Sequence, residues 1–190
     1  MAVEDREKWE SKYSQNQGLL ERAEPSLMVK KYYALAPNKE ALDLACGGGR
    51  HALFLEGRGF SIDAVDISPT ALAKVKERSK GAIDTIEADL DAYQPKSNHY
   101  GLIVKTNFLD RALIERAKGA LQAGGVFIVE TYIEDKENQK PNSNSNFLLK
   151  KDELTKIFQD GFEVLEYKTF WNESYEKYKM RKAAIAARRL

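Results

Sequence analysis

Short apolar runs alternate with amphipathic segments from residue 41 to residue 132, and no other feature of the chain constrains its fold as strongly. Alternation of this kind is typical of parallel strands that are joined by crossover helices. It predicts five strands, at 41–45, 60–66, 82–87, 101–105 and 125–132. It also predicts three helices between them, at 50–57, 68–79 and 110–120.

The rest of the chain predicts a different strand pairing. Residues 134–146 are polar and rich in turn formers, which indicates a mobile loop. A helix is predicted at 151–158, and the strand-like stretches 162–170 and 179–187, with a short turn-like segment between them, indicate a hairpin. We therefore predict a single α/β domain over 1–190, with a doubly wound, mostly parallel seven-stranded sheet in which the hairpin supplies one antiparallel strand. Such sheets bind ligands at the carboxyl ends of their strands.

Composition limits the partners and the setting. The chain has 30 Lys and Arg residues against 29 Asp and Glu residues, a net charge of +1, so no overall field favours nucleic acid or anionic lipid. Cys46 is the single cysteine, the first residues lack the apolar core of a signal peptide, and no apolar run is long enough to span a membrane. We expect a cytoplasmic monomer or homodimer that acts on a small molecule.

A glycine cluster follows the first predicted strand. Asp43 lies within the strand end, and Gly47, Gly48 and Gly49 form the turn, where the backbone must turn tightly and a ligand must approach closely. The second predicted strand ends at Asp66, where a carboxylate can accept hydrogen bonds from both hydroxyls of a ribose. Together these residues predict a nucleoside site.

The glycine cluster has two other interpretations. Gly47, Gly49 and Ala52 also satisfy the dinucleotide fingerprint G-x-G-x-x-A, and a plain strand-to-helix turn with no ligand is the third reading. A dinucleotide site holds a pyrophosphate at a helix amino terminus. Asp43 instead suits a cation, and the Ala-Asp-Leu sequence after the third strand and the terminal hairpin also argue against a dinucleotide site.

The sequence resembles the class I S-adenosylmethionine-dependent methyltransferases, and especially their small tellurite-resistance-type branch. The resemblance lies in ALDLACGGGRHALFLEGRGFSIDAVDISPTAL (41–72), EADL (87–90) and AGGVFI (123–128). It implies a Rossmann-like methyltransferase fold that binds S-adenosylmethionine and releases S-adenosylhomocysteine. The family's usual acidic-x-glycine start is here Asp43-x-Ala45, a departure that is also common in this branch.

The resemblance assigns roles to individual residues. Asp43 would stand near the methionine amino group, Asp66 would hold the ribose, and Asp89 with Leu90 would meet the adenine. The remaining expected cofactor contacts lie in the turn and at strand ends: Ala45, Cys46, Gly47, Gly49, Ile67 and Lys105.

The acceptor is expected at the carboxyl ends of the fourth and fifth strands, which points to Lys105, Asn107 and Tyr132 as catalytic residues. Each has an ordinary structural alternative: a snorkelling lysine, a helix cap and a packed ring. Residues 1–20 are predicted to form a helix, in which Trp9 and Tyr13 either pack into the core or cover the ligand.

Neither a His nor a Cys dyad stands at the expected mouth, which favours an acceptor with a soft or pre-ionised nucleophile. Cys46 is interpreted as a packing residue, and His51 and His99 are too far apart in sequence to predict a metal site. Two further functions stay open: a non-catalytic S-adenosylmethionine-binding module and an NAD(P)-dependent dehydrogenase.

Overall fold

The structure is a computed structural model and describes residues 2–21, 24–140, 144–172 and 176–190. The helices are α1 (Ala2–Gln15), α2 (Leu27–Tyr32), α3 (Arg50–Glu56), α4 (Pro69–Arg78), α5 (Arg111–Lys118) and α6 (Glu153–Ile157). The strands are β1 (Glu40–Leu44), β2 (Ser61–Asp66), β3 (Ile83–Glu87), β4 (Tyr100–Thr106), β5 (Leu121–Tyr132), β6 (Phe162–Trp171) and β7 (Arg181–Arg189).

The strands form one seven-stranded sheet in the order β3-β2-β1-β4-β5-β7-β6. Strands β1 to β5 pair in parallel, whereas β7 runs antiparallel to both of its neighbours, β5 and β6. The prediction of a mostly parallel sheet with one antiparallel strand from a terminal hairpin is confirmed. The strand order reverses between β1 and β4, and open α/β sheets bind ligands at such a switch point.

Both faces of the sheet are covered, as a parallel sheet requires. Side chains such as Leu44, Ile103 and Phe127 form one buried core with α5 and α6. Side chains such as Ala41, Val104 and Ile128 form the other core with α2, α3 and α4. The alternation of side chains along each strand therefore sends adjacent site residues to opposite faces.

Side-chain caps fix where several helices begin. The hydroxyl of Ser68 accepts a hydrogen bond from Ala71 N at 3.1 Å, as its position before Pro69 predicts. The carboxylate of Asp110 accepts one from Leu113 N at 3.0 Å. Sequence reasoning missed α2, although Ser26 caps it in the same way.

The segment after β5 is tied at its base. Glu134 N donates to Leu149 O at 2.8 Å, and Gln139 N donates to Lys179 O at 2.9 Å. Residues 141–143 lie outside the described residues, so the mobility expected of 134–146 stays a prediction. No helix within the described parts of the chain is both long and apolar enough to cross a membrane.

Candidate functional site

The turn after β1 is strongly curved. Ala45, Gly47 and Gly49 have φ angles of 57°, 52° and 78°, in the left-handed region that glycine adopts most easily. Ala45 therefore holds a conformation that is unfavourable for a residue with a Cβ atom. Cys46 N donates to Val65 O at 3.1 Å, which fixes the turn against β2.

The glycines also permit close packing of the chain. A Cβ atom on Gly48 would lie 2.3 Å from Leu20 O, and one on Gly49 would lie 2.8 Å from a methyl carbon of Val75. A Cβ atom on Gly47 would lie 3.3 Å from the Tyr13 hydroxyl. Packing explains Gly48, packing and the positive φ explain Gly49, and Gly47 faces the amino-terminal helix.

Asp66 holds the turn in place from the end of β2. One carboxylate oxygen accepts a hydrogen bond from Gly47 N at 2.8 Å, and the other accepts one from Ser68 N at 3.0 Å. Burial raises the pKa of Asp66 despite these hydrogen bonds and one from the backbone of Ile67, and the nearby charge of Glu10 also raises it. Asp66 is only 6% exposed, so bulk water has little access to the remaining lone pairs of its carboxylate.

The segment after β3 lies directly beside Asp66. Ala88 N donates to Asp66 O at 3.0 Å, which places Asp89 next to the end of β2. The Asp89 carboxylate accepts a hydrogen bond from Asp91 N at 3.0 Å, and the Leu90 side chain is buried in the core. The structure therefore brings Asp66, Asp89 and Leu90 to one edge of the sheet, as the sequence predicts.

Asp43 lies beneath the turn rather than on its surface. It is 1% exposed, and its carboxylate accepts a hydrogen bond from Ala52 N at 3.2 Å, at the start of α3. Burial raises its pKa to about 7, although the charge of Arg50 acts in the opposite direction. His51 is also buried and accepts from Ser26 N at 3.3 Å through Nε2, and burial lowers its pKa well below the usual value.

Lys105 and Asn107 follow each other at the end of β4 but take different environments. The Lys105 side chain is fully buried on the α5 face, and Nζ donates to Phe108 O. Burial lowers its pKa to about 7, against the charge of Asp110. Asn107 has a φ of 59°, and its backbone N donates to Glu130 O at 2.7 Å.

Tyr132 belongs to a charged cluster at the end of β5. Its hydroxyl donates to Glu176 at 2.6 Å, and Lys182 Nζ lies 3.3 Å from Glu176 and 3.8 Å from Glu130. Burial raises the pKa of Glu176, but the hydrogen bond from Tyr132 and the charge of Lys182 outweigh it and lower the pKa. Glu176 and Lys182 were missed in sequence because only the folded hairpin brings them to Tyr132.

The amino-terminal helix α1 lies across the ends of three strands. Arg6 pairs with Glu87 at 2.7 Å at the end of β3. Glu10 accepts hydrogen bonds from the Ser68 hydroxyl at 2.5 Å and from Thr70 N at 3.2 Å, just after β2. The rings of Trp9 and Tyr13 stack with centroids 5.5 Å apart. The face of α1 that contacts these strand ends includes Arg6 and Glu10, which carry no motif that could have identified them.

The remaining candidates take structural positions. Cys46 is 6% exposed within a hydrophobic core, which agrees with its interpretation as a packing residue. Burial raises the pKa of its thiol well above the usual value. His99 stacks edge-on against the ring of Tyr100, with the ring centroids 4.9 Å apart.

The pKa of Lys105 predicts how stability depends on pH. Between pH 7 and pH 10.5 the unfolded chain binds more protons at Lys105 than the folded protein does, so this residue makes the free energy of unfolding rise with pH in that window. Lys105→Met removes the rise. We expect the difference in free energy of unfolding, variant minus wild type, to be about 2 kcal/mol lower at pH 9 than at pH 7. Urea unfolding at the two pH values measures it.

Lys118→Met is the matched control, since Lys118 on α5 also donates to a main-chain carbonyl, that of Ile157, but is more exposed. A Lys105→Met curve that stays parallel to the wild-type curve over this range contradicts the assignment.

Comparison with known proteins gives the family. Residues 41–125 match the family described as "Methyltransferase domain". The chain is 31% identical over 144 residues to "Hemagglutinin 1" of Eikenella corrodens. This alignment covers 70% of this chain and 46% of that protein. It is 28% identical over 166 residues to "Probable S-adenosyl-L-methionine-dependent methyltransferase TehB" of Haemophilus influenzae. This alignment covers 79% of this chain and 57% of that protein.

The fold agrees with these matches. The crystal structure of TehB from Haemophilus influenzae has a TM-score of 0.77 at 23% identity and covers 95% of this chain and 67% of that one. The chain spans about half the length of the curated relatives that it matches. The matched segment, the strand order and the sequence similarity to TehB support a class I S-adenosylmethionine-dependent methyltransferase of the TehB-like branch.

Proposed function

We propose that the protein binds S-adenosylmethionine at the carboxyl ends of β1 to β4 and transfers its methyl group to a small-molecule acceptor. The observation that carries this proposal is the buried Asp66 carboxylate beside the glycine turn, with Asp89 held next to it. A carboxylate at this position suits ribose hydroxyls. Asp66, Ile67, Asp89 and Leu90 would hold the nucleoside, and the turn from Ala45 to Gly49 would hold the methionine end.

When bound, S-adenosylmethionine supplies an electrophilic methyl group on a sulfonium, whose leaving group departs neutral. The protein therefore has no leaving group to protonate, and its contribution is orientation. Holding two reactants in line can account for about 7–11 kcal/mol of barrier reduction. The chain's own residues meet this need by fixing the loops that border the acceptor side.

On the acceptor side we infer a positioning role for Lys105, Asn107 and Tyr132. The buried Lys105 holds the Phe108 carbonyl and so supports the loop that contains Asn107. The Tyr132 hydroxyl donates a hydrogen bond to Glu176, whose lowered pKa makes this carboxylate a poor base near neutral pH. These contacts support an acceptor whose nucleophile is soft or already ionised.

Other functions would use the same nucleoside half. A non-catalytic sensor or assembly factor would bind S-adenosylmethionine without turning it over, and a dehydrogenase would prefer NAD or NADP. The placement of Asp43 beneath the turn, not facing it, leaves the dinucleotide alternative to be settled by binding. A cytoplasmic location, a monomeric or homodimeric state and the lack of a nucleic-acid partner stay predictions.

The first experiment measures binding and turnover. We expect calorimetry to show affinity for S-adenosylmethionine and S-adenosylhomocysteine above that for NAD or NADP, and a panel of thiols, chalcogen oxyanions, amines and alcohols to reveal an acceptor. Asp66→Ala should weaken S-adenosylhomocysteine by about 10-fold to 100-fold, because charge-assisted hydrogen bonds are lost.

Asp84→Ala, at an exposed strand position on β3, controls for the loss of an aspartate. Tighter binding of a dinucleotide would end the methyltransferase proposal, and unchanged affinity in a folded Asp66→Ala protein would remove this residue from the site. Binding without turnover on every acceptor class would favour the non-catalytic module.

The second experiment tests whether catalysis is mainly positioning. Lys105→Met, Asn107→Gly and Tyr132→Phe, each made alone, should lower the single-turnover rate by less than about 100-fold, since an essential base contributes about 10²–10⁴-fold. The pH profile should follow the ionisation of the acceptor in all three variants. If Lys105→Met loses three orders of magnitude together with an inflection near pH 7, Lys105 is a base and the pre-ionised acceptor must be abandoned.

We also propose that α1 is a lid over the bound cofactor. Its contacts follow the ends of β3, β2 and β1 in turn, through Arg6, Glu10 and Tyr13. A ligand that contacts Asp66 and the glycine turn would lie beneath this helix. Exchange of the cofactor would then require the hydrogen bonds of Glu10 to break.

Weakening the lid should speed release. We expect Glu10→Ala to raise the dissociation rate of S-adenosylhomocysteine by about 5-fold, as the loss of roughly 1 kcal/mol of hydrogen bonding predicts, while association changes little. Stopped-flow displacement measures both rates. Glu7→Ala, at an exposed position of the same helix, is the control, and equal rates in both variants and the wild type would contradict the lid.

A further inference from the structure

The edge of β5 that pairs with β4 gains a new partner where β4 ends. Asn107, the first residue after β4, donates from its main-chain N to Glu130 O at 2.7 Å, and its φ of 59° then turns the chain away. Leu149 N takes the next place along β5 and donates to Tyr132 O at 2.9 Å. Glu134 N donates to Leu149 O at 2.8 Å. Leu149 thus lies where β4 would have continued.

The other edge of β5 is occupied by β7 at the same level, since Ile133 N donates to Arg181 O at 3.0 Å. Leu149 forms a parallel bridge with Ile133, and its side chain is fully buried in the core that contains α5 and α6. We call residues 144–149 the acceptor-side strap. On the proposed function this strap borders the acceptor, because it crosses the carboxyl ends of β4 and β5.

Arg111, the first residue of α5, holds the strap through its main chain. Nη1 donates to Asn146 O at 2.9 Å, and Nη2 donates to Leu148 O at 3.0 Å. Glu153 at the start of α6 fixes the same guanidinium, with one carboxylate oxygen 3.1 Å from Nη2. A guanidinium has five donors in a rigid fork, so a single side chain can join α5, α6 and the strap.

Phe147 stands between the two carbonyl groups that Arg111 holds. Its side chain is 56% exposed, and the three strap residues before it are the polar Asn144, Ser145 and Asn146. A single exposed apolar side chain is ordinary on a protein surface. This one, however, lies on a main chain that is held on both sides, so little freedom remains to be lost when a ligand covers it.

We propose that Phe147 contacts an apolar group of the methyl acceptor and that Arg111 is the positioning residue that places Phe147. The inference rests on the proposed function and names the acceptor class, a soft nucleophile such as a thiol that carries an apolar or aromatic group. An aromatic ring contributes area and a preferred stacking geometry to such a contact. If Arg111 served only the stability of the fold, its loss would affect all acceptors alike.

The test compares phenylethanethiol with mercaptoethanol, two alkyl thiols that share the nucleophilic atom and differ in apolar surface. The ratio of their kcat/KM values is measured for the wild type, Phe147→Ser, Arg111→Met and the double variant. Any loss of folded protein or of cofactor binding affects both thiols and cancels in the ratio. Calorimetry with S-adenosylhomocysteine and thermal unfolding establish that each variant is folded and binds the cofactor.

The wild type should prefer phenylethanethiol. Phe147→Ser should lower the ratio by about 3-fold to 10-fold, because an aromatic contact is lost. Arg111→Met should lower it as well, and the double variant should lose no more than Phe147→Ser alone, since Arg111 acts through Phe147. The affinity for S-adenosylhomocysteine should stay unchanged in all three variants.

Hydrogen exchange gives a readout that does not depend on turnover. Arg111→Met should speed exchange of the Leu149 amide by about 10-fold, because the strap loses two hydrogen bonds. The Leu113 amide, which donates to Asp110 within the first turn of α5, should exchange as in the wild type.

Two variants serve as matched controls for the ratio. Lys118→Met removes another cation of α5 that donates to a main-chain carbonyl, that of Ile157. Leu27→Ser removes an apolar side chain that is exposed on α2. Neither should change the preference between the two thiols.

An unchanged ratio in Phe147→Ser overturns the proposal, and so does a wild type that methylates both thiols equally or neither. Arg111 is not a positioning residue if its loss affects both thiols alike, or if the losses of the two single variants add in the double variant. In each of these cases the binding of S-adenosylhomocysteine still supports the proposed function. A wild type that does not bind S-adenosylhomocysteine would contradict the proposed function itself.

Discussion

The hydrogen bond from the Gly47 amide to the Asp66 carboxylate determines the shape of the site. It joins the turn after β1 to the end of β2, and the second oxygen of the same carboxylate fixes Ser68 at the start of α4. One buried side chain thus sets the positions of two strand-to-helix turns. The glycine turn leads on to Arg50, the first residue of α3. The Ser68 hydroxyl donates a hydrogen bond to Glu10 of α1. The edge of the sheet is consequently a connected polar network in which each part constrains the next.

Two ionisable groups make this edge energetically costly near neutral pH. Burial raises the pKa of Asp43 to about 7, so its contribution to stability falls as pH rises from 3.8 to 7. Burial lowers the pKa of Lys105 to about 7, so its contribution recovers only above that value. The groups lie under opposite faces of the neighbouring strands β1 and β4. Perturbed groups of this kind cluster at functional sites, where local stability is lower than packing alone would allow.

The sequence predicts the strands of the sheet better than the side chains that line the candidate site. Hydrophobic alternation locates all seven strands, because the period of a buried strand is local. Asp66 follows from its place at a strand end, whereas Asp89 follows from the family resemblance. Glu10, Glu176 and Lys182 contact site residues only through tertiary folding, and no spacing in the chain links them. The position of Asp43 could be predicted from the sequence, but the orientation of its side chain could not, because it depends on the hydrogen bond from Ala52 of α3.

The two sides of this edge of the sheet are built from different parts of the chain. The residues proposed to hold the nucleoside lie within the segment 41–125, next to α1, whereas the groups around Tyr132 come from β5, β7 and the segment before β7. Glu176 lies just before β7, where its carboxylate accepts a hydrogen bond from Tyr132 and pairs with the buried Lys182. On the proposed function, a change of the residues around Tyr132 alters the acceptor side and leaves the residues proposed to hold the methyl donor unchanged.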